Sequence, residues 1–303
     1  MSLTPGDLTP RLRGVQCAMV TPFRPDGSLD EQAFREHVDF LIERGVHVLT
    51  PVGTTGEFSH LTPEEHRRVI AWAVEEAAGR VPVIAGACAL STRMTIELCR
   101  AAQDLGADGV LVAPPLYLPP SEDDIQRHYE AVNEAVEIGI MLYHFPNLHG
   151  VSFSPELCAR LAALSGVVAI KETSLDPGAF EQLIAAAGDR MVFFSGGGEF
   201  LAPFAYRAGG VGMTSSLANV APRLSAQMHV HCVEGEYDEA MQLVGLIAPF
   251  WRLCIDSDIP TITLLKEAMR LAGRDGGVVR APLPQGLAND VRRRLEQSLR
   301  GII

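Results

Sequence analysis

The chain lacks several features that mark whole classes of protein. None of its apolar runs approaches the roughly 18 residues that a membrane span needs. No segment is rich in basic residues, and 25 lysines and arginines against 37 acidic residues give a net charge of −12. An acidic chain of this kind is a poor ligand for nucleic acid or for anionic membranes. We therefore expect neither as a partner.

Paired cysteines and a secretory leader are also missing. The six cysteines are scattered, with no CxxC pair, which favours reduced, mostly buried thiols. No apolar stretch follows the first charges of the chain, so we expect no signal peptide and a cytoplasmic location. His229 and His231 are two residues apart on a predicted helix and do not face together, so we expect no metal site.

Lysine is the scarcest charged residue. Only Lys171 and Lys266 occur, and every other basic residue is arginine or histidine. Lys266 lies in a helical pattern, TITLLKEAM, and we interpret it as an ordinary stem-packing or surface charge. Lys171 lies in an apolar run, VVAIKET, where a lysine needs a local reason, and chemistry is one candidate.

Short apolar runs alternate with longer amphipathic stretches up to about residue 218. Unbroken hydrophobicity over so few residues is typical of parallel strands covered on both faces. Eight such units predict an α/β fold, a (β/α)8 or TIM barrel, and not an open sheet, which calls for a glycine fingerprint after its first strand. The runs lie at 14–23, 47–53, 81–87, 109–115, 139–146, 167–173, 190–197 and 210–217.

Helical patterns replace the strands in the last third of the chain. The first of them would complete the barrel, so the predicted domains are a catalytic barrel over residues 1–234 and a helical appendage over 235–303. No low-complexity linker separates the two, which indicates that the appendage packs on the barrel. The predicted helices lie near 221–234, 237–252, 258–272 and 288–300.

Lys171 falls at the C-terminal end of the sixth run, where barrels of this kind carry their reactive groups. Burial of an amine in an apolar interior disfavours its charged form, and the neutral amine is the nucleophile that attacks a carbonyl carbon. The alternative to a catalytic role is a structural lysine, whose side chain reaches the rim of the barrel or pairs with Glu172. The position favours a Schiff base with a small 2-oxo acid such as pyruvate.

Tyr143 ends the fifth run, beside Lys171 if the strand order is sequential. A phenol at that point can pass protons to and from a carbinolamine. A core tyrosine with a hydrogen-bonded hydroxyl is at least as common in proteins, so both interpretations stay open.

Two glycine-rich loops follow predicted strands. GTTGE, residues 53–57, offers backbone amides and two hydroxyls that could cradle a carboxylate, although a tight turn explains it too. SGGGEF, residues 195–200, stands where many barrels bind phosphate. We favour a tight turn that leaves room for substrate there, because no basic residue follows in sequence until Arg207.

The ordered set of motifs resembles the dihydrodipicolinate synthase and N-acetylneuraminate lyase family over nearly the whole chain. No single motif is as specific as the set. The matching pieces are GTTGE at 53–57, AGACALST at 85–92, Pro-Pro-x-Tyr from Pro114 to Tyr117, YHFP with Tyr143, and IKET with Lys171.

The resemblance implies specific roles. Lys171 would form the imine with C2 of the 2-oxo acid, Tyr143 would shuttle protons, and Thr54 would hydrogen-bond Tyr143. The turn at Thr54 and Thr55, shaped by Gly53 and Gly56, would hold the substrate carboxylate, and Gly196 and Gly197 would border the substrate. Tyr117 would reach a neighbouring subunit's site. The resemblance also implies a homotetramer built as a dimer of dimers that needs no cofactor.

Two departures from the family pattern concern the second substrate. Leu148 aligns with an arginine that the synthases use on the aldehyde's carboxylate, and its loss weakens the case for that reaction. Gly197 and Gly198 stand where sialic acid lyases place acidic residues, with Glu199 the nearest acid. The imine machinery is kept, whereas the second pocket is predicted to be altered and more apolar.

Four hypotheses follow from the sequence. The leading one is a lyase that runs aldol cleavage, its reverse or a dehydration through a Lys171 enamine. A second is 4-hydroxy-tetrahydrodipicolinate synthase activity on pyruvate and aspartate semialdehyde. A third is a non-catalytic barrel that binds a 2-oxo acid, and a fourth is a phosphosugar enzyme that uses the Gly196–Gly198 loop.

Overall fold

The computed structural model describes residues 3–115 and 117–303. Eight parallel strands pair in the order β2-β1-β8-β7-β6-β5-β4-β3, and a parallel bridge from Leu49 to Val83 joins the two edges. The predicted (β/α)8 barrel is therefore confirmed. Its strands are β1 Gly14–Ala18, β2 Val48–Thr50, β3 Ile84–Gly86, β4 Gly109–Val112, β5 Gly139–His144, β6 Val167–Glu172, β7 Val192–Ser195 and β8 Gly212–Ser215.

Helices follow the strands and surround the barrel. None of the described helices combines the length and the apolar character needed to cross a lipid bilayer. They are α1 Pro5–Leu8, α2 Glu31–Glu43, α3 Pro63–Ala77, α4 Thr92–Asp104, α5 Glu122–Ala135, α6 Pro146–His149, α7 Pro155–Leu161, α8 Pro177–Ala187, α9 Gly198–Arg207, α10 Pro222–Glu234, α11 Tyr237–Asp256, α12 Thr261–Leu271 and α13 Asn289–Ser298.

Local sequence explains where several helices begin. Thr62 and Ser121 each accept a hydrogen bond from the backbone amide three residues on, and the acidic side chain at that position bonds back to the cap amide. α12 begins at Thr261 and not at the predicted 258, because Pro260 precedes it with an extended backbone. The short helix α6 after β5 was not predicted, since four residues carry no periodicity.

The barrel interior is filled at one end and open at the other. Leu8 and Leu12 are buried in one cluster with interior residues such as Met141 and Phe194. Because Leu8 packs beneath the first residues of β4 and β5, α1 closes the N-terminal end. Substrate therefore has access at the opposite end, where the strands finish.

The last three helices form an appendage whose apolar core is shared with the barrel. Phe250, Leu264 and Leu295 are buried in a cluster that also contains Val20 and Leu217 of the barrel. The appendage therefore packs on the C-terminal side of β1 and β8. The exact division at residues 234 and 235 stays a prediction, because one apolar cluster spans it.

Candidate active site

Lys171 and Tyr143 meet inside the barrel near the ends of their strands. They are direct partners in the register between β5 and β6, and the Lys171 Nζ lies 4.1 Å from the centroid of the Tyr143 ring. Lys171 is 8% exposed and Tyr143 is 2% exposed. Both side chains point inward because alternate residues of a strand face the same way.

Glu172 does not pair with Lys171. Its Oε1 lies 3.2 Å from Nδ1 of His144 and accepts from the Ser174 amide at 2.7 Å. Because the Phe153 amide donates to His144 Nε2 at 3.1 Å, the ring proton stands on Nδ1 and is donated to Glu172. Within residues 3–115 and 117–303, no carboxylate lies within 4.0 Å of the Lys171 amine.

The Tyr143 hydroxyl faces the GTTGE loop. It lies 3.4 Å from Thr54 Oγ1, a long hydrogen bond. On its other side the ring of His149 stands edge-on to Tyr143, with centroids 4.8 Å apart. Burial, reinforced by the nearby Lys171 charge, lowers the pKa of His149 to about 4, so this histidine is neutral at pH 7. Sequence analysis did not single out His149 for this contact.

The GTTGE loop is held in an unusual backbone conformation. Val52 and Glu57 bracket it with φ of 50° and 56°, in the left-handed region that costs a β-branched residue energy. A Cβ on Gly56 would lie 3.0 Å from the Val52 nitrogen, so only glycine fits there comfortably. The loop is therefore maintained by contacts from outside it.

Those contacts come from the appendage, and they correct the interpretation of Lys266. Its Nζ lies 2.6 Å from Glu57 Oε1 and donates to the carbonyl oxygens of Thr21 and Val278 at 2.7 Å. Burial lowers the pKa of Lys266 to about 8, against the opposing charge of Glu57. Lys266 is 4% exposed. The prediction of an ordinary stem-packing or surface charge was therefore wrong.

The SGGGEF loop passes close to the end of β6. A Cβ on Gly196 would overlap the Thr173 hydroxyl, so glycine is required by this close approach. Glu199 turns away into the protein, where its Oε1 accepts from Ser215 at 2.5 Å and from Ser225. Burial raises the pKa of Glu199.

One cavity of about 710 Å³ opens at this end of the barrel. The predicted residues that line it are Thr54, Thr55, Tyr143, Lys171, Gly196 and Gly197. Gly53, Gly56, Tyr117 and Leu148 do not line it. Tyr117 is 90% exposed and Leu148 is 53% exposed. Residue 116 of the Pro-Pro-x-Tyr element lies outside the described residues.

Further lining residues escaped sequence analysis. Phe145 and Leu175 come from the loops after β5 and β6, and Phe200 comes from the first turn of α9, whereas Trp251 and Ile255 come from α11 in the appendage. Phe145 and Phe200 lie within the motifs YHFP and SGGGEF, and Leu175 lies two residues after IKET, so these three could have been suspected. The sequence predicted that the appendage packs on the barrel, but nothing in it places α11 at the mouth of the cavity.

Comparison with known proteins agrees with this architecture. The profile of the Dihydrodipicolinate synthetase family matches residues 11–301. A 4-hydroxy-tetrahydrodipicolinate synthase of Nitrobacter hamburgensis is 38% identical over 90% of this chain and 91% of its own, and one of Methanopyrus kandleri is 37% identical over 96% of each.

A solved structure is similar over the same extent. The dihydrodipicolinate synthase of Acinetobacter baumannii, described as chloride-inhibited and complexed with pyruvate, superimposes with a TM-score of 0.89 at 34% identity. The match covers 96% of this chain and 100% of that one. The chain therefore belongs to the dihydrodipicolinate synthetase family, as its motifs predicted, and is an enzyme of the Schiff-base lyase class.

Proposed function

We propose that Lys171 is the residue that forms the Schiff base, with C2 of pyruvate or a related 2-oxo acid. One observation carries the assignment. The Lys171 amine borders a cavity and lies 4.1 Å from the centroid of the Tyr143 ring. No carboxylate among the described residues pairs with this amine. A buried amine free of an ion pair can give up its proton, and the neutral amine then attacks a carbonyl carbon.

The neighbouring hydroxyls supply the proton transfers in this proposal. Tyr143 delivers a proton to the carbinolamine oxygen so that water leaves, and Thr54, 3.4 Å from it, relays a proton from solvent water back to the phenol. The protonated imine then accepts the electron pair of the bond that breaks at C3. The enamine that results is protonated, and hydrolysis releases the 2-oxo acid and the free lysine.

The loops hold the substrate. The Thr54 and Thr55 turn, with Gly53 and Gly56 shaping its backbone, binds the substrate carboxylate. Gly196 and Gly197 border the substrate opposite that turn and leave room for it. Leu148, in the position where an arginine would hold a second carboxylate, supplies no charge.

The proposed assembly is a homotetramer built as a dimer of dimers, in the cytoplasm and without a cofactor. Its support is the exposure of Tyr117, whose ring is 90% exposed at the open end of the barrel with a backbone φ of 83°. Tyrosine is among the residues enriched at contacts between protein chains. Tyr117 then completes the proton relay of the neighbouring subunit.

A second candidate is 4-hydroxy-tetrahydrodipicolinate synthase activity, the condensation of pyruvate with aspartate semialdehyde. The names of the relatives from Nitrobacter hamburgensis and Methanopyrus kandleri favour it. Leu148 disfavours it, because the carboxylate of the aldehyde loses its arginine partner. Turnover of that substrate pair decides between the two candidates.

Borohydride trapping tests the first proposal. We expect incubation with pyruvate and borohydride to add a reduced adduct to the Lys171 peptide in mass spectrometry, and Lys171→Ala to remove it. Lys266→Arg is the matched control, since it keeps the other buried cation and should leave the adduct unchanged. No adduct with any of a panel of 2-oxo acids would overturn the proposal and favour a non-catalytic binding barrel.

A further inference from the structure

The part of the cavity away from the imine is lined mainly by apolar side chains. Phe145, Leu175 and Phe200 follow three successive strands, and Trp251 and Ile255 face them from α11. Leu175 and Phe200 are each 52% exposed, and Ile255 is 80% exposed. Large apolar groups left in water at the mouth of a cavity favour a ligand that covers them.

Several polar groups that could hold a hydrophilic second substrate are engaged elsewhere or lie at the rim, whereas the buried Thr173 hydroxyl, which also lines the cavity, has no hydrogen-bond partner among the described residues. The Thr214 hydroxyl donates to Gln16 at 2.7 Å. Glu199, the acid nearest the loop after β7, is buried against Ser215 and Ser225. Arg252 and Asp256 line the outer edge from α11, where both are exposed to water and their opposite charges give no net preference.

We propose that the carbonyl compound that the Lys171 enamine takes up or releases is an apolar or aromatic aldehyde. The inference rests on the proposed function and names the class of its second substrate. Transfer of an apolar side chain from water into this cavity is favourable, whereas a polyhydroxylated or charged aldehyde would lose hydration there and find few polar partners besides Thr173.

The reaction balances without any other reactant. In the cleavage direction a 4-hydroxy-2-oxo acid forms the imine with Lys171 and releases water. The C3–C4 bond breaks, its electron pair passes to the iminium as the enamine, and the C4 hydroxyl loses a proton to become the aldehyde. Protonation of C3 and hydrolysis return pyruvate and the amine.

Two variants and a matched control test the inference. The measurement is kcat/KM for condensation of pyruvate with benzaldehyde and, separately, with glyceraldehyde. We expect Phe200→Ser and Ile255→Ser each to lower the benzaldehyde value by about 10-fold and to leave the glyceraldehyde value within about twofold. Met241, like Ile255, is an apolar residue of α11, but it is 54% exposed and lies outside the cavity. Met241→Ser is therefore the matched control and should change neither the benzaldehyde value nor the glyceraldehyde value.

The outcomes separate this inference from the proposed function. Equal losses with both aldehydes, or a wild-type kcat/KM that is higher for glyceraldehyde or aspartate semialdehyde than for benzaldehyde, would overturn the apolar assignment while borohydride adducts on Lys171 still uphold the imine. Absence of the borohydride adduct in the wild-type protein would overturn both the proposed imine on Lys171 and the inference about the aldehyde. A selective loss with benzaldehyde supports the inference, because the variants differ only in apolar contact at the mouth.

Discussion

At the scale of single residues, the site depends on which groups are left without a partner. Glu172 is taken by His144 and the Ser174 amide, and this leaves Lys171 with an aromatic face and a cavity. Tyr129 shows the opposite case, since its hydroxyl donates to the Val112 carbonyl at 2.8 Å in the core. Of these two buried tyrosines, only Tyr143 lines the cavity, so only its hydroxyl is placed to exchange a proton with a bound substrate.

Replacement of Tyr143 by phenylalanine removes the phenol and keeps the ring beside Lys171. We expect kcat to fall by roughly 10²–10⁴-fold, the range for a lost acid–base group, with pyruvate still trapped slowly on Lys171. Steady-state kinetics on Tyr143→Phe measures the effect. Tyr129→Phe, which loses a hydroxyl outside the cavity, should keep its kcat, and an unchanged rate in Tyr143→Phe would remove the phenol from the mechanism.

At the scale of elements, the appendage maintains the loop between β2 and α3. Lys266 of α12 binds Glu57 of that loop, and the Arg280 amide donates to the same carboxylate at 3.0 Å. The Arg280 side chain also pairs with Glu65 at 2.5 Å. Since Glu57 and Val52 occupy left-handed backbone conformations, these contacts offset the strain of the turn that carries Thr54 and Thr55.

Loss of the buried cation leaves the buried Glu57 carboxylate without the lysine that neutralises its charge. We expect Lys266→Met to lower the free energy of unfolding by about 3–5 kcal/mol, as measured by urea denaturation. The double variant Glu57→Gln with Lys266→Met should be less destabilised than Lys266→Met alone, because no uncompensated charge remains. Arg93→Met breaks an exposed pair with Glu97 and should cost at most about 0.5 kcal/mol. Equal effects of Lys266→Met and Arg93→Met would contradict the role given to the buried pair.

At the scale of the whole molecule, several neutral histidines are packed into the fold. His37, His66, His128 and His149 are buried, and burial lowers the pKa of His37 to about 3 and of the other three to about 4. The same side chains take up protons near pH 6.5 in the unfolded chain. Between pH 6.5 and about 4 the unfolded state therefore binds more protons than the folded state.

The free energy of unfolding is therefore expected to be at its full value above pH 6.5 and to decrease as the pH falls toward 4. Each of these histidines contributes up to about 1.4 kcal/mol per pH unit in that window. Urea denaturation at a series of pH values measures the slope. His66→Gln, which can still donate to the Gly86 carbonyl that His66 Nε2 contacts at 3.0 Å, should flatten it. An unchanged slope would show that His66 is not among the groups responsible.

The placement of Lys171 beside Tyr143 was accessible from the sequence. Both residues end apolar runs, side chains alternate along a strand, and consecutive strands of a βα barrel are neighbours. The helix starts at Thr62 and Ser121 were accessible for a related reason, since a cap and its partner are three residues apart. The lengths of the strands were harder to predict, because each apolar run continues beyond its strand into loop residues that lie outside the paired strands.

Periodicity and short spacings therefore determined the barrel, its order of strands and the placement of Lys171 beside Tyr143, since these features depend on patterns that are local in the chain. Only the tertiary structure decided that Lys266 reaches Glu57 across 209 positions (266 − 57), or that Trp251 and Ile255 of α11 cover the mouth of the cavity. Those contacts result from how whole helices pack. The packing of helices depends on many weak contacts between residues that are far apart in sequence, and no local sequence pattern predicts which of these contacts form.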